Sequence, residues 1–195
     1  MLAAADGNVS VRSSSGEILI TPSGRSKAYI DPSEIAAVTL DGRVLAGLPS
    51  GERLMHLEVY QRVAEAKAVV HAHPPTAIAW SIAFPQMKEL PSGCMSELIL
   101  ALGSVPIAPY ARPGTKAMGE VLGPYLPGSR VLILARHGAI SWGEDLEEAY
   151  NGMERLEHTA QILKAAVDLG GITELPPEEV AVLREMRQAM GPRSL

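Results

Sequence analysis

The sequence predicts a sandwich of helices on a mostly antiparallel sheet, α/β or α+β in class, and three observations lead there. Short alternating runs separated by tight turns fill the N-terminal part, two buried-strand runs lie further along, and helical periodicities fall between and after them. With 47% hydrophobic and 20% charged residues, the 195-residue chain has enough apolar surface for one full core. No internal repeat or low-complexity linker divides it, so residues 1 to 195 read as a single domain.

The elements follow in order. Asn8 to Arg12 and Ile18 to Thr21 alternate in polarity on either side of Ser13-Ser-Ser-Gly16, a hairpin pattern. Asp31-Pro32-Ser33-Glu34 offers an N-cap acceptor, proline at N1 and glutamate at N3, which starts a short helix. Val38 to Leu40 and Val44-Leu45 flank Asp41-Gly42, a second hairpin. Ser50 is the expected N-cap of a helix from about Gly51 to Ala66, on which Glu52, Met55, His56, Val59, Tyr60 and Val63 share one broad face. Ala66 to Val70 then reads as a buried strand, and Pro74-Pro75 stops it because neither proline has an N–H for a ladder.

Helices are expected at about Thr76 to Ala83, Met95 to Leu102 and Lys116 to Tyr125, with Val105 to Ala108 a strand between the last two. Val131 to Ala135 is the second buried-strand run. The longest helix begins at the capping box Asp145 to Glu148 and carries Leu146, Ala149, Tyr150, Met153, Leu156, Ala160, Leu163 and Val167 on one core stripe. After Gly170-Gly171 and Pro176-Pro177, Glu178 to Met190 reads as a terminal helix.

Composition excludes several classes of function. The net charge of −5 comes without a run of lysines or arginines, so the chain lacks the electrostatic footprint of a nucleic-acid binder. The longest apolar stretch, Thr76 to Phe84, is too short to cross a bilayer. Cys94 is the only cysteine, which rules out an intrachain disulfide and fits a reducing cytoplasm. Met1-Leu-Ala-Ala-Ala5 lacks the basic n-region of a secretory signal and is read as mature chain.

Chemistry concentrates at strand ends. In an extended chain residues two apart point to the same side, so His71 and His73 can reach one ion. The second buried run is followed by Arg136-His137-Gly138, which places a third imidazole in the same way. A catalytic zinc takes nitrogen and oxygen ligands from separate elements and keeps one position open. Glu52 is the best candidate for an accompanying acid, although a first-turn glutamate also has a helix-dipole explanation. His56 could replace a ligand, but a histidine bonding a neighbour within a helix is the commoner case. His158 with Glu154 reads as a solvated pair, Cys94 as a small hydrophobe, and Trp80 and Trp142 as packing. Gly7-Asn8, Thr21-Pro22-Ser23-Gly24 and Ser50-Gly51 are small polar turns whose N–H groups and hydroxyls would suit a phosphate.

These residues resemble the class II aldolase and adducin N-terminal family. The matching stretches are Gly7-Asn-Val-Ser-Val-Arg12, Ile20-Thr-Pro-Ser-Gly24, Glu52 to Tyr60, Val69-Val-His-Ala-His73, Val105-Pro-Ile-Ala-Pro-Tyr110 with Gly114-Thr115, and Arg136-His-Gly-Ala-Ile140. The resemblance implies a three-layer α/β/α sandwich and a homotetramer with active sites between neighbouring subunits. It implies one Zn²⁺ per chain held by His71, His73, His137 and Glu52, with Glu52 leaving the metal to act as acid and base. It further implies phosphate binding by Asn8, Ser23, Gly24, Ser50 and Gly51, and a Tyr110 that serves the adjacent subunit.

The activity implied is cleavage of a ketose 1-phosphate to dihydroxyacetone phosphate and an aldehyde. Three features depart from the family pattern. Ser50-Gly51 stands where the family has Ser-Ser, the helix that usually precedes Gly-Asn is largely missing, and the last turns hold no tyrosine where one of the family's aldolases places one. Same-fold epimerases, decarboxylases and dehydratases are the alternatives, with Glu97 a possible acid for the last two. An adducin-like interaction scaffold is the non-enzymatic alternative, against which the three histidines argue. A cupin-like metal protein also uses His-x-His, but the long C-terminal helix does not fit its all-β fold.

Overall fold

The computed structural model describes residues 3–191, so Met1 and Leu2 of the opening stretch lie outside it. Its strands are β1 (Asn8–Arg12), β2 (Ile18–Ile20), β3 (Ala36–Val38), β4 (Val44–Ala46), β5 (Ala68–Ala72), β6 (Ile107–Ala108), β7 (Val131–Leu134) and β8 (Gly138–Gly143). They form one sheet in the order β4-β3-β2-β1-β5-β8-β7-β6, antiparallel except for the β6–β7 pair. The helices are α1 (Arg53–Arg62), α2 (Pro75–Ala83), α3 (Ser96–Ala101), α4 (Ala117–Glu120), α5 (Leu146–Asp168) and α6 (Pro177–Met190).

Strands β5, β7 and β8 are buried along their whole length because both faces of the sheet are covered. Val70 and Ala72 of β5, with Val131 and Ile133 of β7, pack against Trp80 of α2 and Met153 and Leu156 of α5. Val69, Leu132, Leu134 and Ile140 face the opposite way, against Met55, Val59 and Tyr60 of α1. Two cores separated by one sheet make the three layers expected. The helices also exclude an all-β cupin-like fold.

Several boundaries differ from expectation for physical reasons. The helix expected from Gly51 begins at Arg53, and Glu52 rather than Ser50 holds its N-cap position. Ser50 Oγ accepts the Glu52 N–H at 3.2 Å. The helix expected over Lys116 to Tyr125 breaks into α4 and a 3-10 turn, Gly123–Tyr125, where Pro124 has no N–H to continue it. Asp31 caps a single 3-10 turn, Pro32–Glu34, with the full capping box. The strand expected over Val105 to Ala108 is only Ile107–Ala108.

On α5 the core stripe is narrower than the periodicity implied. Ala149, Met153, Leu156, Ala160 and Leu163 are buried, but Leu146, Tyr150 and Val167 are exposed. Two buried acids join the seam. Glu148 pairs with Arg130 at 2.9 Å, and Glu157 accepts the N–H groups of Thr76 and Ala77 at 3.0 to 3.1 Å. Glu157 thereby supplies the cap that Pro74 cannot give to α2, and it fixes the chain just beyond His73. At the expected box Asp145 accepts the Glu148 N–H, and the Glu148 carboxylate accepts from Glu144 N. No strand was expected over Gly138–Gly143, yet β8 is central and pairs with both β5 and β7.

Candidate active site

The site grows out of the pairing of β1, β5 and β8. His71 lies within β5, fully buried, opposite Asn8 on one side and Ile140 on the other. Its Nδ1–H donates to Ala139 O at 2.8 Å, because a carbonyl oxygen can only accept. Nε2 is therefore the atom presented to the site, the usual arrangement for a metal-ligating histidine. His73 follows the strand end, its Nε2 3.2 Å from His71 Nε2 and its Nδ1 3.3 Å from Asp6 Oδ2. His137 stands in the tight β7–β8 turn, where Arg136 takes the left-handed conformation with φ +61°.

The three rings meet with centroids 5.0, 5.0 and 5.1 Å apart. One nitrogen from each lies within 4.8 Å of the others. Gly138 makes this approach possible: a Cβ there would sit 2.6 Å from Ala72 O, 2.8 Å from His71 Cε1 and 2.9 Å from His73 Cδ2. Glu52 faces the cluster, with Oε2 3.3 Å from His71 Nε2 and Oε1 3.2 Å from His137 Nε2. A neutral imidazole with its proton on Nδ1 would set lone pair against carboxylate there. Each contact needs positive charge between the partners, a ring proton or a cation. The donor set of three imidazoles and one carboxylate therefore fits a divalent metal.

Burial alone would raise the Glu52 carboxyl, but hydrogen bonds from His137, His71 and Asn8 outweigh it and hold the group well below the usual carboxylate range. His73 is lowered by burial and by the neighbouring His71 and His137. His56 does not join the cluster. It is buried behind it, bonded to Ser10 and Asn8, and burial pushes it down to about 3.

Asn8, Ser23, Gly24, Ser50 and Gly51 line one cavity of 420 Å³, which Glu52, His73 and His137 share. The separately expected turns are thus brought together. Their chemistry differs in part, because the Ser23 and Ser50 N–H groups are already given to Leu48 O and Thr21 O at 3.0 and 3.2 Å. Hydroxyls, rather than those two amides, are what the serines offer. A cation also lines the cavity that sequence reasoning missed, Lys27, whose Nζ donates to Ala5 O and Arg25 O. Arg25, beside the Ser23-Gly24 turn, pairs with Glu34 at 2.8 Å on the surface, and Arg53, just beyond Ser50-Gly51, does not line the cavity.

Other candidates fall outside the site. Tyr110 is 60% exposed and does not line its own chain's cavity. Glu97 bonds Ser96 on the exposed face of α3, and His158 is exposed on α5. Cys94 is partly buried, its thiol bonded to Pro91 O. Trp80 and Trp142 pack and donate to Ala160 O and Ser129 O. A larger hollow of 640 Å³ between α3 and α6 is lined by Arg130, Arg184 and Arg187. Arg130 is held by Glu144 and Glu148, and Arg187 by the last carbonyls of α3, so two of its three cations serve the fold.

This fold and this histidine cluster define a class II aldolase-type domain. Residues 1–163 match the Class II Aldolase and Adducin N-terminal domain, and the chain belongs to that family. It is 36% identical over 184 residues to 3-oxo-tetronate 4-phosphate decarboxylase of Escherichia coli K12, covering 91% of this chain and 84% of that one. It is 34% identical over 191 residues to L-fuculose phosphate aldolase of Escherichia coli CFT073, covering 96% and 86%. Among solved structures, Escherichia coli YgbL, described as an aldolase/epimerase/decarboxylase, aligns with a TM-score of 0.87 at 34% identity over 94% of this chain and 89% of that one.

Proposed function

We propose that this chain is a metal-dependent carbon–carbon lyase that releases dihydroxyacetone phosphate, acting on a 3-oxo sugar-acid 4-phosphate. The observation that carries the reading is the cavity in which Glu52, His73 and His137 meet the Ser23-Gly24 and Ser50-Gly51 turns and Lys27, with His71 buried directly behind. His71, His73, His137 and Glu52 would hold the metal, most suitably Zn²⁺ given imidazole and carboxylate donors. Bound there, it supplies Lewis-acid charge to the substrate's oxo group.

The two named relatives act on substrates that converge on one product. Loss of C1 as CO₂ from a 3-oxo-tetronate 4-phosphate leaves the electron pair on C2 and the C3 oxygen. Cleavage of C3–C4 in a ketose 1-phosphate leaves the same pair on C3 and the C2 oxygen, while the C4 hydroxyl loses its proton and departs as aldehyde. Protonation of either remnant gives dihydroxyacetone phosphate. In this reading Glu52 would move that proton, and the Ser23 and Ser50 hydroxyls with Lys27 would hold the phosphate.

Decarboxylation differs in needing no group to take a proton from the leaving fragment. The 36% identity to 3-oxo-tetronate 4-phosphate decarboxylase supports that reading. The aldolase expected from the sequence is the second reading, supported by the identity to L-fuculose phosphate aldolase. It requires Tyr110 to serve a neighbouring copy in a homotetramer. Assay of the metal-loaded protein over 3-oxo sugar-acid phosphates and ketose 1-phosphates tests the choice. CO₂ with dihydroxyacetone phosphate supports the first reading, an aldehyde the second, and neither product from any member of the panel defeats both.

A further inference from the structure

Glu52, His56 and Tyr60 recur every four residues along α1 and its N-cap, and Asn8 and Ser10 recur every second residue along β1. Four helical residues rise about 6 Å and two strand residues about 6.7 Å, so the two series stay in step. They are joined by hydrogen bonds. Asn8 Nδ2 donates to Glu52 Oε2 at 2.9 Å, and His56 Nε2 bonds Asn8 Oδ1. Ser10 Oγ lies 2.7 Å from His56 Nδ1 and 2.9 Å from the Tyr60 hydroxyl.

The polarity of this chain is forced. His56 is fully buried and neutral, so it carries one ring proton. Asn8 Oδ1 can only accept, which puts that proton on Nε2. Nδ1 then accepts from Ser10, and Ser10 accepts from Tyr60, whose phenol burial pushes up and keeps protonated. Every donor points towards Glu52. The opposite orientation of the Asn8 amide would set its oxygen against the Glu52 carboxylate and its NH₂ against the His56 N–H.

We propose that His56 is a positioning residue: its Nε2–H holds the Asn8 carboxamide with the NH₂ end on Glu52, and so fixes the carboxylate oxygen that faces His71. The inference rests on Glu52 being the proton-transfer group of the proposed lyase.

The test reads that proton transfer directly, as deuterium entering the hydroxymethyl carbon of dihydroxyacetone phosphate in D₂O, catalysed by the metal-loaded full chain. One C–H proton leaves to Glu52, its electron pair moves onto the carbonyl oxygen, and a deuteron returns. In His56→Gln the amide nitrogen can occupy the place of Nε2 and still donate to Asn8. In His56→Asn the shorter side chain reaches towards Ser10 and not Asn8. Loss of an orienting partner typically costs about 10- to 100-fold. Exchange should therefore fall by that factor in His56→Asn and recover to within about 3-fold of the parent in His56→Gln, with equal metal content in both.

Parental exchange in His56→Asn, or no recovery in His56→Gln, would overturn the proposal. A test without any variant is the ¹⁵N spectrum of His56: a proton on Nε2 is expected, and one on Nδ1 refutes the chain. Parental exchange in Glu52→Gln would instead remove the reading on which the inference stands.

Discussion

Gly138→Ala should damage the histidine cluster while every imidazole and carboxylate of the site stays in the sequence. The added Cβ would lie 2.6 Å from Ala72 O, a backbone atom of the neighbouring strand, and 2.8 and 2.9 Å from the rings of His71 and His73. Ordinary contact begins near 3.4 Å, so the His71 ring must retreat by about 0.6 Å and the His73 ring by about 0.5 Å, or the β5–β8 pair must separate. Metal sites hold their ligand distances to within roughly 0.2 Å, and a shift of this size exceeds that tolerance. Overpacking of this kind costs about 1 to 3 kcal/mol, which for a chain of this length lowers the melting temperature by about 2 to 12 °C. Metal affinity should drop by at least about 10-fold. Calorimetric melting of the metal-free protein and competition with a chromophoric chelator measure the two effects separately. A Gly138→Ala protein that melts with the parent and binds zinc as tightly would refute the argument that this glycine seats the imidazoles.

Three further outcomes are expected. Glu157→Ala strips the Thr76 and Ala77 N–H groups of their acceptor, which should cost about 1 to 3 kcal/mol in denaturant melts while metal content stays at the parental level. Lys27→Met and Ser23→Ala should each raise KM for phosphorylated substrates more than for their free counterparts; equal effects on both would remove these residues from phosphate recognition. The third concerns acid stability. His56 is held near 3 in the folded protein against an ordinary 6.5, so below pH 6.5 the unfolded chain binds the extra proton and the folded chain does not. Its contribution is complete above pH 6.5 and is lost as pH falls towards 3, by about 1.4 kcal/mol per pH unit. Chemical denaturation of parent and His56→Gln from pH 7 to 4 should show the shallower decline in the variant, and parallel curves would contradict it.

The sequence announced the site where local rules and global placement agree. His71 and His73 stand two apart at the end of an apolar run that two prolines stop, and Glu52, His56 and Tyr60 keep one helical face, so strand and helix periodicity alone bring them near. It concealed β8 because Gly138 and Gly143 bracket the strand and read as turn residues. In the fold both are there for close approach, Gly143 with its added Cβ meeting Ala149 N at 2.7 Å. Lys27 was hidden for a different reason: nothing in Arg25-Ser26-Lys27 marks which cation faces the turns, and in the fold Glu34 draws Arg25 to the surface while the 3-10 turn at Lys27–Tyr29 carries the lysine that lines the cavity. The N-cap lies two residues beyond Ser50, at Glu52, and Ser50 lines the cavity. Tyr110, which only the family resemblance singled out, is exposed on its own chain and does not line the cavity.

The central claim is that His71, His73, His137 and Glu52 hold one metal on which the release of dihydroxyacetone phosphate depends. Protein stripped by a chelator and titrated with Zn²⁺ tests it most directly, with deuterium exchange into dihydroxyacetone phosphate followed at each addition. Exchange should be absent at the start, rise linearly and level off at about one equivalent per chain, and His73→Ala should show no such rise. Full exchange in the stripped protein, or a His73→Ala titration that follows the parent's, would contradict it.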